Sequence, residues 1–280
     1  MNQRELARLV EISEARAYAS LMQCRSTDLA EGDFGVVRVG SAWAMISPAV
    51  TGTLNFNRVI GLGLEQPAEP SDLDELTRLY AEHELSFAIE LGPHAQPSDL
   101  PAWLRERRIR RGMPTAMYYR DALPMLPGPG NVVVSRAGSA AECAQVADIC
   151  SEVFRMPAVV QGLLAATRSD SRWRQWLVRA GPEPIAAALS FVDEQVAWLG
   201  WDATLPQHRG LGAHGALIVA RVNDAHASGC RHLTTETAVH TAAAADPSGR
   251  NYEKLGFLLA QNRPTYVAIR PLSSASALRK

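Results

Sequence analysis

The sequence predicts an α/β protein built from two successive units. Three observations lead to this prediction: helix-period and strand-type apolar patterns alternate, a Pro- and Gly-rich segment lies near the middle, and the alternation restarts after it. That segment reads Leu-Pro-Met-Leu-Pro-Gly-Pro-Gly over 123–130 and suits no regular element. At 280 residues the chain is long enough for two ordinary domains. We therefore predict an N-terminal unit over 1–122, a linker over 123–130 and a C-terminal unit over 131–280.

The N-terminal unit is predicted to begin with a helix over 5–22, where apolar residues recur with a helical period. Strands are expected over 34–39, 42–47 and 56–64. A helix over 73–83 follows, with Ser71 as its N-cap and acidic residues in its first turn. The unit closes with strand 86–91, helix 100–108 and strand 115–119.

The C-terminal unit is predicted to contain the same two kinds of element. Its first half has strand 132–136, helices 140–154 and 159–166, and strands 172–179, 185–192 and 196–204. Its second half has helix 216–227, strand 232–237, a short helix over 250–255 and strand 265–269. A glycine-punctuated turn separates strand 196–204 from the helix that follows.

This turn has the features of an anion site. The strand ends before Pro206, and Gly210 and Gly212 let the backbone approach a ligand without interference from a Cβ. The free N–H groups of the turn and the positive end of the helix dipole point at the same place. No Lys-Ser/Thr pair follows the glycines, and Gly215 stands one residue too late for a dinucleotide fingerprint.

The Arg-Gly-x-Gly pattern instead resembles the pyrophosphate loop of the GCN5-related N-acetyltransferases, written Q/R-x-x-G-x-G/A. Two registers fit this motif. The register Gln207-x-x-Gly210-x-Gly212 matches fully, whereas the one that starts at Arg209 leaves His214 at the final small position. We prefer the second register because it places the next leucine at the first buried position of the helix.

A second match lies further along the chain. Tyr252 is followed by Gly256-Phe257 and preceded four residues earlier by Ser248, which resembles the later signature of the same family. The resemblance covers the C-terminal half and implies a mixed, mainly antiparallel sheet splayed into a V, with acetyl-CoA as co-substrate. It also implies CoA contacts from the end of a bulged strand, the loop and the later helix, at Ala203, Thr204, Leu205, Arg209, Gly210, Leu211, Gly212, Ala213, His214 and Asn251.

Acetyl transfer needs a base for the amine and an acid for the leaving thiolate. The resemblance places the Tyr252 hydroxyl opposite the CoA sulfur, and a phenol of pKa about 10 stays protonated at neutral pH. Glu236, on strand 232–237, is the candidate base, with Asp202 as its rival. The predicted function is N-acetylation of a small amine by direct transfer in a ternary complex. The alternative is a non-catalytic acyl-CoA-binding regulator.

The N-terminal unit is interpreted as a degenerate copy of the same unit. It contains no Arg-Gly-x-Gly, only Gly61-Leu62-Gly63 inside a predicted strand, so we expect that it does not bind CoA. Such a unit would shape the acceptor site or an oligomer interface, and a homodimer is left open.

The composition of the chain argues against a nucleic-acid-binding, a metal-binding or a membrane protein. The net charge of -1 provides no basic field for nucleic acid, and we interpret the cluster Arg105–Arg111 as a solvated helix end. A nucleic-acid module using this cluster is the third hypothesis. The histidines show no ligand spacing, so no metal is expected. Four cysteines without C-x-x-C spacing predict reduced thiols and a cytoplasmic protein. No apolar run approaches about 20 residues, so no membrane-spanning helix is predicted.

Overall fold

Two β-sheets organise the chain, shown here by a computed structural model that describes residues 1–24, 29–30, 32–126, 132–239 and 246–269. The N-terminal half contributes α1 (Gln3–Gln23), β1 (Gly35–Val39), β2 (Ala42–Ile46), β3 (Arg58–Ile60), α2 (Pro70–Glu82), β4 (Phe87–Glu90), α3 (Leu100–Glu106), β5 (Arg110–Arg111) and β6 (Thr115–Asp121). The C-terminal half contributes β7 (Val133–Arg136), α4 (Ala140–Phe154), α5 (Ala158–Ala166), β8 (Trp173–Ala180), β9 (Glu183–Asp193), β10 (Val196–Thr204), α6 (Ala213–Ala227), β11 (His232–Ala238), α7 (Pro247–Lys254), β12 (Leu258–Arg263) and β13 (Thr265–Ala268).

Each sheet contains one strand from the other half of the chain. The first sheet has the order β1-β2-β3-β4-β13-β5, and the second has the order β12-β6-β11-β10-β9-β8-β7. In the described part of the chain, β3 with β4 and β10 with β11 are parallel pairs, and the other neighbours are antiparallel. The predicted α/β fold with a mixed, mainly antiparallel sheet is confirmed, and it occurs twice.

The strand exchange changes how the two predicted units relate to the two sheets. Strand β6 belongs to the unit over 1–122 but lies between β11 and β12, and β13 lies between β4 and β5. The division of the chain at 123–130 stays a prediction, but it does not separate the sheets. Residues 123–126 have no regular structure, and 127–130 lie outside the described residues.

Helix α1 contacts both sheets and packs into a hydrophobic cluster that the two sheets share. Its N-cap Asn2 forms a capping box with Glu5. Leu21 is fully buried in a cluster that includes residues of both sheets. The ring of Tyr18 meets Trp198 of β10 edge-on, with 5.6 Å between the ring centroids. The N-terminal half therefore forms one wall of any cavity beside β10.

Some element ends differ from those predicted. The strand expected over 56–64 is limited to β3, because Gly61 and Gly63 take φ values of +84° and +71° in the turn that follows. Helix α2 is capped by Glu69 and Asp72 in a capping box rather than by Ser71. Strands β5 and β12 were not predicted, since neither shows a clear apolar alternation.

In the described ranges, none of the helices combines the length and apolar character needed to cross a bilayer. All four cysteines are buried, and none of them forms a disulfide bond. They pack in the core as small side chains, and the thiols of Cys24 and Cys150 donate to the carbonyls of Ser20 and Trp201 at 3.4 and 3.3 Å.

Candidate active site

Strand β10 separates from β11 halfway along its length. It pairs with β11 only from Val196 to Leu199. Its pairing with β9 is interrupted by a bulge between Gly200 and Ala203, where Trp201 adopts a φ of +59°. Beyond the bulge the strand continues beside β9 alone, so its other edge faces a gap. The bulged, splayed strand that the resemblance implies is present.

The open edge exposes some of the predicted backbone contacts but not all of them. The N–H of Leu205 donates to the carbonyl of Ile185 at 3.0 Å, so this amide is already used. Because successive peptide groups of a strand point to opposite edges, the N–H of Thr204 points to the gap. Of the strand-end residues predicted to contact CoA, Thr204 is the best placed to offer a free amide.

The loop after β10 forms an open helix N-terminus. Gly210 and Gly212 take φ values of +88° and +80°, and a Cβ at either position would meet no atom within 4 Å. Helix α6 starts at Ala213 with no side-chain cap and no acidic residue in its first turn. Leu211 and Arg209 are exposed on the same loop. The unused amides and the helix dipole suit a diphosphate.

The helix start favours the first of the two motif registers. Leu217 is fully buried, as the preferred register requires, but Ala213 is already 2% exposed one turn earlier, so this burial does not discriminate. Gly212 is the N-cap residue and has a left-handed conformation that favours glycine. The final small residue of the motif is therefore best placed at Gly212, with Gln207 at its start.

Tyr252 lies beneath this loop and is only 1% exposed. Its hydroxyl donates to Asp202 Oδ2 at 2.8 Å, and Arg221 donates to both oxygens of the same carboxylate. Burial alone would raise the pKa of Asp202, but Arg221 and then His214 hold it well below its usual range. Burial and the Asp202 charge raise the pKa of Tyr252. The phenol is therefore protonated throughout the neutral range, and its proton points to Asp202.

His214 and Asn251 connect this cluster to the loop. The Asn251 amide nitrogen lies 3.0 Å from His214 Nδ1, and His214 Nε2 lies 3.3 Å from Asp202 Oδ1. The Asn251 amide donates to Nδ1, so that nitrogen acts as the acceptor and Nε2 faces the Asp202 carboxylate. These two side chains thus support the wall around Tyr252, in addition to any contact with CoA.

Glu236 lies on the opposite face of the sheet from this cluster. It is half-buried, and its Oε2 accepts a hydrogen bond from Trp198 Nε1 at 2.7 Å. Burial and the nearby Glu14 raise the pKa of Glu236 to about 8, against the opposing effects of Arg58 and Trp198. A carboxylate that gains and loses its proton near neutral pH is suited to general base catalysis. Asp202, the rival candidate, is neutralised by Arg221 and is a poor base.

A cavity of about 600 Å³ opens at the splay of β10 and lies between the two halves of the chain. This volume is in the usual range for small-molecule sites. The N-terminal half contributes Tyr18, Arg58 and Glu90 to its lining, and the C-terminal half contributes Trp198 and Glu236. The cavity therefore brings the predicted base Glu236 into contact with the space where an acceptor would bind.

A buried ion-pair network supports the floor of this cavity. Glu14 of α1 pairs with Arg58 at 2.9 Å and with Arg263 of β12 at 2.7 Å. Arg263 also lies 3.3 Å from Glu90, and the Arg58 guanidinium stacks 4.0 Å above the ring of Tyr18. Removing one partner of such a pair is costly because the other charge stays buried. The network holds α1 against β3 of the first sheet and β12 of the second, beside Glu236.

The corresponding loop of the N-terminal half, between β3 and α2, is closed to a phosphate. A Cβ at Gly63 would lie 2.3 Å from the carbonyl oxygen of Gln96, so other backbone occupies the space. The capping box of Glu69 and Asp72 already uses the amides at the start of α2 and adds negative charge there. These contacts favour the expectation that this half does not bind CoA.

The sequence-based reasoning missed several residues of the site, chiefly Arg221, Glu14, Arg58 and Glu90. One signal was available for two of them. Arg221 interrupts the apolar face of α6 one turn after Leu217, and Glu14 lies on the buried side of α1. A charge on an apolar helix face requires a buried partner. Nothing in the local sequence pattern identified Arg58 and Glu90, which lie on strands, because their ion-pair partners lie in distant segments of the chain.

The described residues contain no group of three or more His, Cys, Asp or Glu side chains arranged to hold a metal ion.

Neither a protein-family model nor a curated protein sequence matches the chain. Solved structures match nearly its whole length. A GCN5-related N-acetyltransferase from Kribbella flavida is 17% identical, with a TM-score of 0.65 over 96% of this chain and 97% of that one. A GCN5-related N-acetyltransferase from Sphaerobacter thermophilus is 14% identical, with a TM-score of 0.62 over 95% and 94%.

A tandem GNAT protein from the clavulanic acid biosynthesis pathway is 13% identical, with a TM-score of 0.56 over 93% of this chain and 96% of that one. At these identities the likeness concerns the fold. The chain thus has the fold of the GCN5-related N-acetyltransferases in its tandem form.

Proposed function

We propose that this protein is an acetyl-CoA-dependent N-acetyltransferase that passes the acetyl group directly to the amine of a small molecule in a ternary complex. One observation carries the proposal: β10 leads at its end into an uncapped helix N-terminus, and its splay opens into a cavity that contains Glu236. The anion site would hold the CoA diphosphate, and the free strand edge would hold the arm that carries the thioester. The base would then lie on the side from which the amine approaches.

The diphosphate of CoA would bind at the start of α6. The amides from Gly210 to His214 would hold it, with Arg209 beside the loop adding positive charge. The pantetheine arm would follow the open edge of β10, where the Thr204 amide is free to donate. This arm would deliver the thioester to the cavity between the two halves.

The reaction itself needs three proton transfers. Glu236 would take one proton from the acceptor ammonium, and the amine nitrogen would attack the thioester carbonyl carbon. A C–N bond forms, the C–S bond breaks, and the thiolate takes a proton from Tyr252. The nitrogen, positively charged after the attack, would return its second proton to the Tyr252 phenolate, and Glu236 would release its proton to solvent. For this step the Tyr252 hydroxyl has to turn away from Asp202, whose charge Arg221 already neutralises. The N-terminal half, through Tyr18 and its neighbours, would shape the acceptor side.

The hydrogen bond from Tyr252 to Asp202 favours a second candidate function. A phenol whose proton is held by a buried carboxylate would serve as well in a non-catalytic acyl-CoA-binding regulator. In that protein the loop would bind CoA, but no amine would be acetylated. The four buried thiols fit a cytoplasmic location for either function.

The test is an assay of free-thiol release from acetyl-CoA with a panel of amines, amino acids and amine-bearing antibiotics, together with calorimetric CoA binding. An enzyme releases thiol with at least one acceptor, and Tyr252→Phe lowers turnover while CoA affinity is retained. A regulator binds CoA but releases no thiol with any acceptor of the panel. Absence of CoA binding contradicts both candidates.

A further inference from the structure

A second cavity lies in the N-terminal half, on the side of β13 away from the active site. Its volume is about 570 Å³, and four arginines line it together with Ile109 and Tyr266. Tyr266 of β13 lines this arginine cavity, whereas its neighbours Thr265 and Val267 line the cavity between the halves. The arginine cavity comprises Arg105, Arg108, Arg110 and Arg111, and the proposed acetyl transfer makes no use of it.

The four arginines are unlike their neighbour Arg107, which pairs with Asp74 at 2.8 Å. In the part of the chain that the structure describes, none of the four lies within ion-pair distance of a carboxylate. All four residues are exposed. Like charges gathered around one concave surface repel each other, and an anion bound among them removes this repulsion.

Arg108 lies at the end of α3, and its backbone is fixed by that helix end. Its φ is +60°, and the N–H groups of Arg108 and Ile109 donate to the carbonyls of Arg105 and Leu104 at 2.9 Å each, as at an ordinary left-handed helix end. The helix end therefore holds Arg108 in the wall of the cavity.

We propose that the arginine cavity binds a small phosphorylated ligand. Guanidinium groups match phosphate oxygens with paired hydrogen bonds, and several of them around one recess suit a ligand with two or more phosphates. Tyr266 and Ile109 provide an apolar floor for the rest of the ligand. Nucleic acid would need a longer basic stripe, and the net charge of -1 does not provide one.

The experiment titrates pyrophosphate into the full chain by calorimetry at constant ionic strength. It compares the wild type with Arg110→Gln/Arg111→Gln. The matched control is Arg4→Gln/Arg78→Gln, which removes the same charge from exposed positions of the same half. The loop before α6 is intact in all three proteins, so any pyrophosphate that it binds contributes equally. The expected result is at least a tenfold loss of affinity at one site in the cavity variant and less than a twofold change in the control.

Arg108→Gly guards against a folding defect, because glycine suits this backbone conformation. We expect it to bind pyrophosphate more weakly while its unfolding midpoint stays at or above that of the wild type. The proposal is overturned if Arg110→Gln/Arg111→Gln and Arg108→Gly are both folded and bind pyrophosphate as tightly as the wild type does. It is also overturned if Arg110→Gln/Arg111→Gln and the control lose the same amount of affinity for pyrophosphate. Tighter binding of a 12-nucleotide oligothymidylate than of pyrophosphate, lost in the cavity variant, would assign the surface to nucleic acid instead.

Discussion

Replacing Glu236 by glutamine tests the site most directly. The glutamine side chain keeps nearly the same shape and can still accept the hydrogen bond from Trp198. It cannot take a proton, so it removes the proposed base and little else. General base catalysis typically contributes a factor of about 10² to 10⁴, and we expect kcat/KM to fall by that amount with CoA affinity unchanged.

The pKa of Glu236 sets the pH dependence. In the folded protein it is about 8, so the wild type kcat/KM should rise with pH and level off above that value. The same pKa affects stability. The ordinary pKa is 4.5, so the folded state holds this proton more tightly than the unfolded state does. This contribution to stability is complete below pH 4.5 and is lost as the pH rises to about 8.

The magnitude follows from the two pKa values. The full difference corresponds to close to 5 kcal/mol, and because water screens a half-buried group, we expect about 1 to 2 kcal/mol. We therefore expect the free energy of unfolding of Glu236→Gln, relative to that of the wild type, to be higher at pH 9 than at pH 5 by this amount. Denaturant unfolding at the two pH values measures it.

Glu152→Gln, on an exposed face of α4, is the matched control and should change neither activity nor the pH profile. The reasoning is refuted if Glu236→Gln keeps its activity within threefold of the wild type and shows the same pH profile. Loss of activity without the stability gain at pH 9 would mean that the carboxyl is not held neutral in the folded protein.

Three further substitutions test the surrounding structure. Asp202→Asn leaves the buried Arg221 without its counter-charge and should cost about 3 to 5 kcal/mol in denaturant unfolding, and a loss below about 1 kcal/mol would contradict the ion pair. Gly200→Ala places a Cβ 2.0 Å from the ring of Trp198 and should cost about 1 to 3 kcal/mol, unless the bulge can shift at no cost. Gly212→Ala strains a φ of +80° by about 1 kcal/mol and should weaken CoA binding about fivefold by calorimetry, whereas equal affinity would exclude this loop as the diphosphate site.

The elements with strong local patterns were the most predictable. Helix α4 and strand β10 have the bounds that their apolar periods indicate. The glycines of the loop also identified a turn and a helix start, because their conformational freedom is a property of the residue itself. The short strands β5 and β12 lack such a pattern and were missed.

The site was predictable to a smaller extent. Tyr252 and Glu236 were selected from sequence, but their surroundings depend on contacts between distant segments. Glu236 owes its pKa of about 8 to burial and to Glu14, which lies more than 200 residues away in the chain. No local pattern contains this information, since burial and Coulomb energy depend on distance in space.

The sequence by itself determined the alternation of helices and strands and the glycine-punctuated turn before α6, and it supplied Tyr252 and Glu236 as candidates. Only the tertiary structure decided which strands pair across the halves, where Tyr252 sends its proton, and that α1 closes the cavity. The physical reason is that periodicity and glycine content act within one segment. Strand exchange, ion pairing and burial instead arise when segments far apart in the chain pack together.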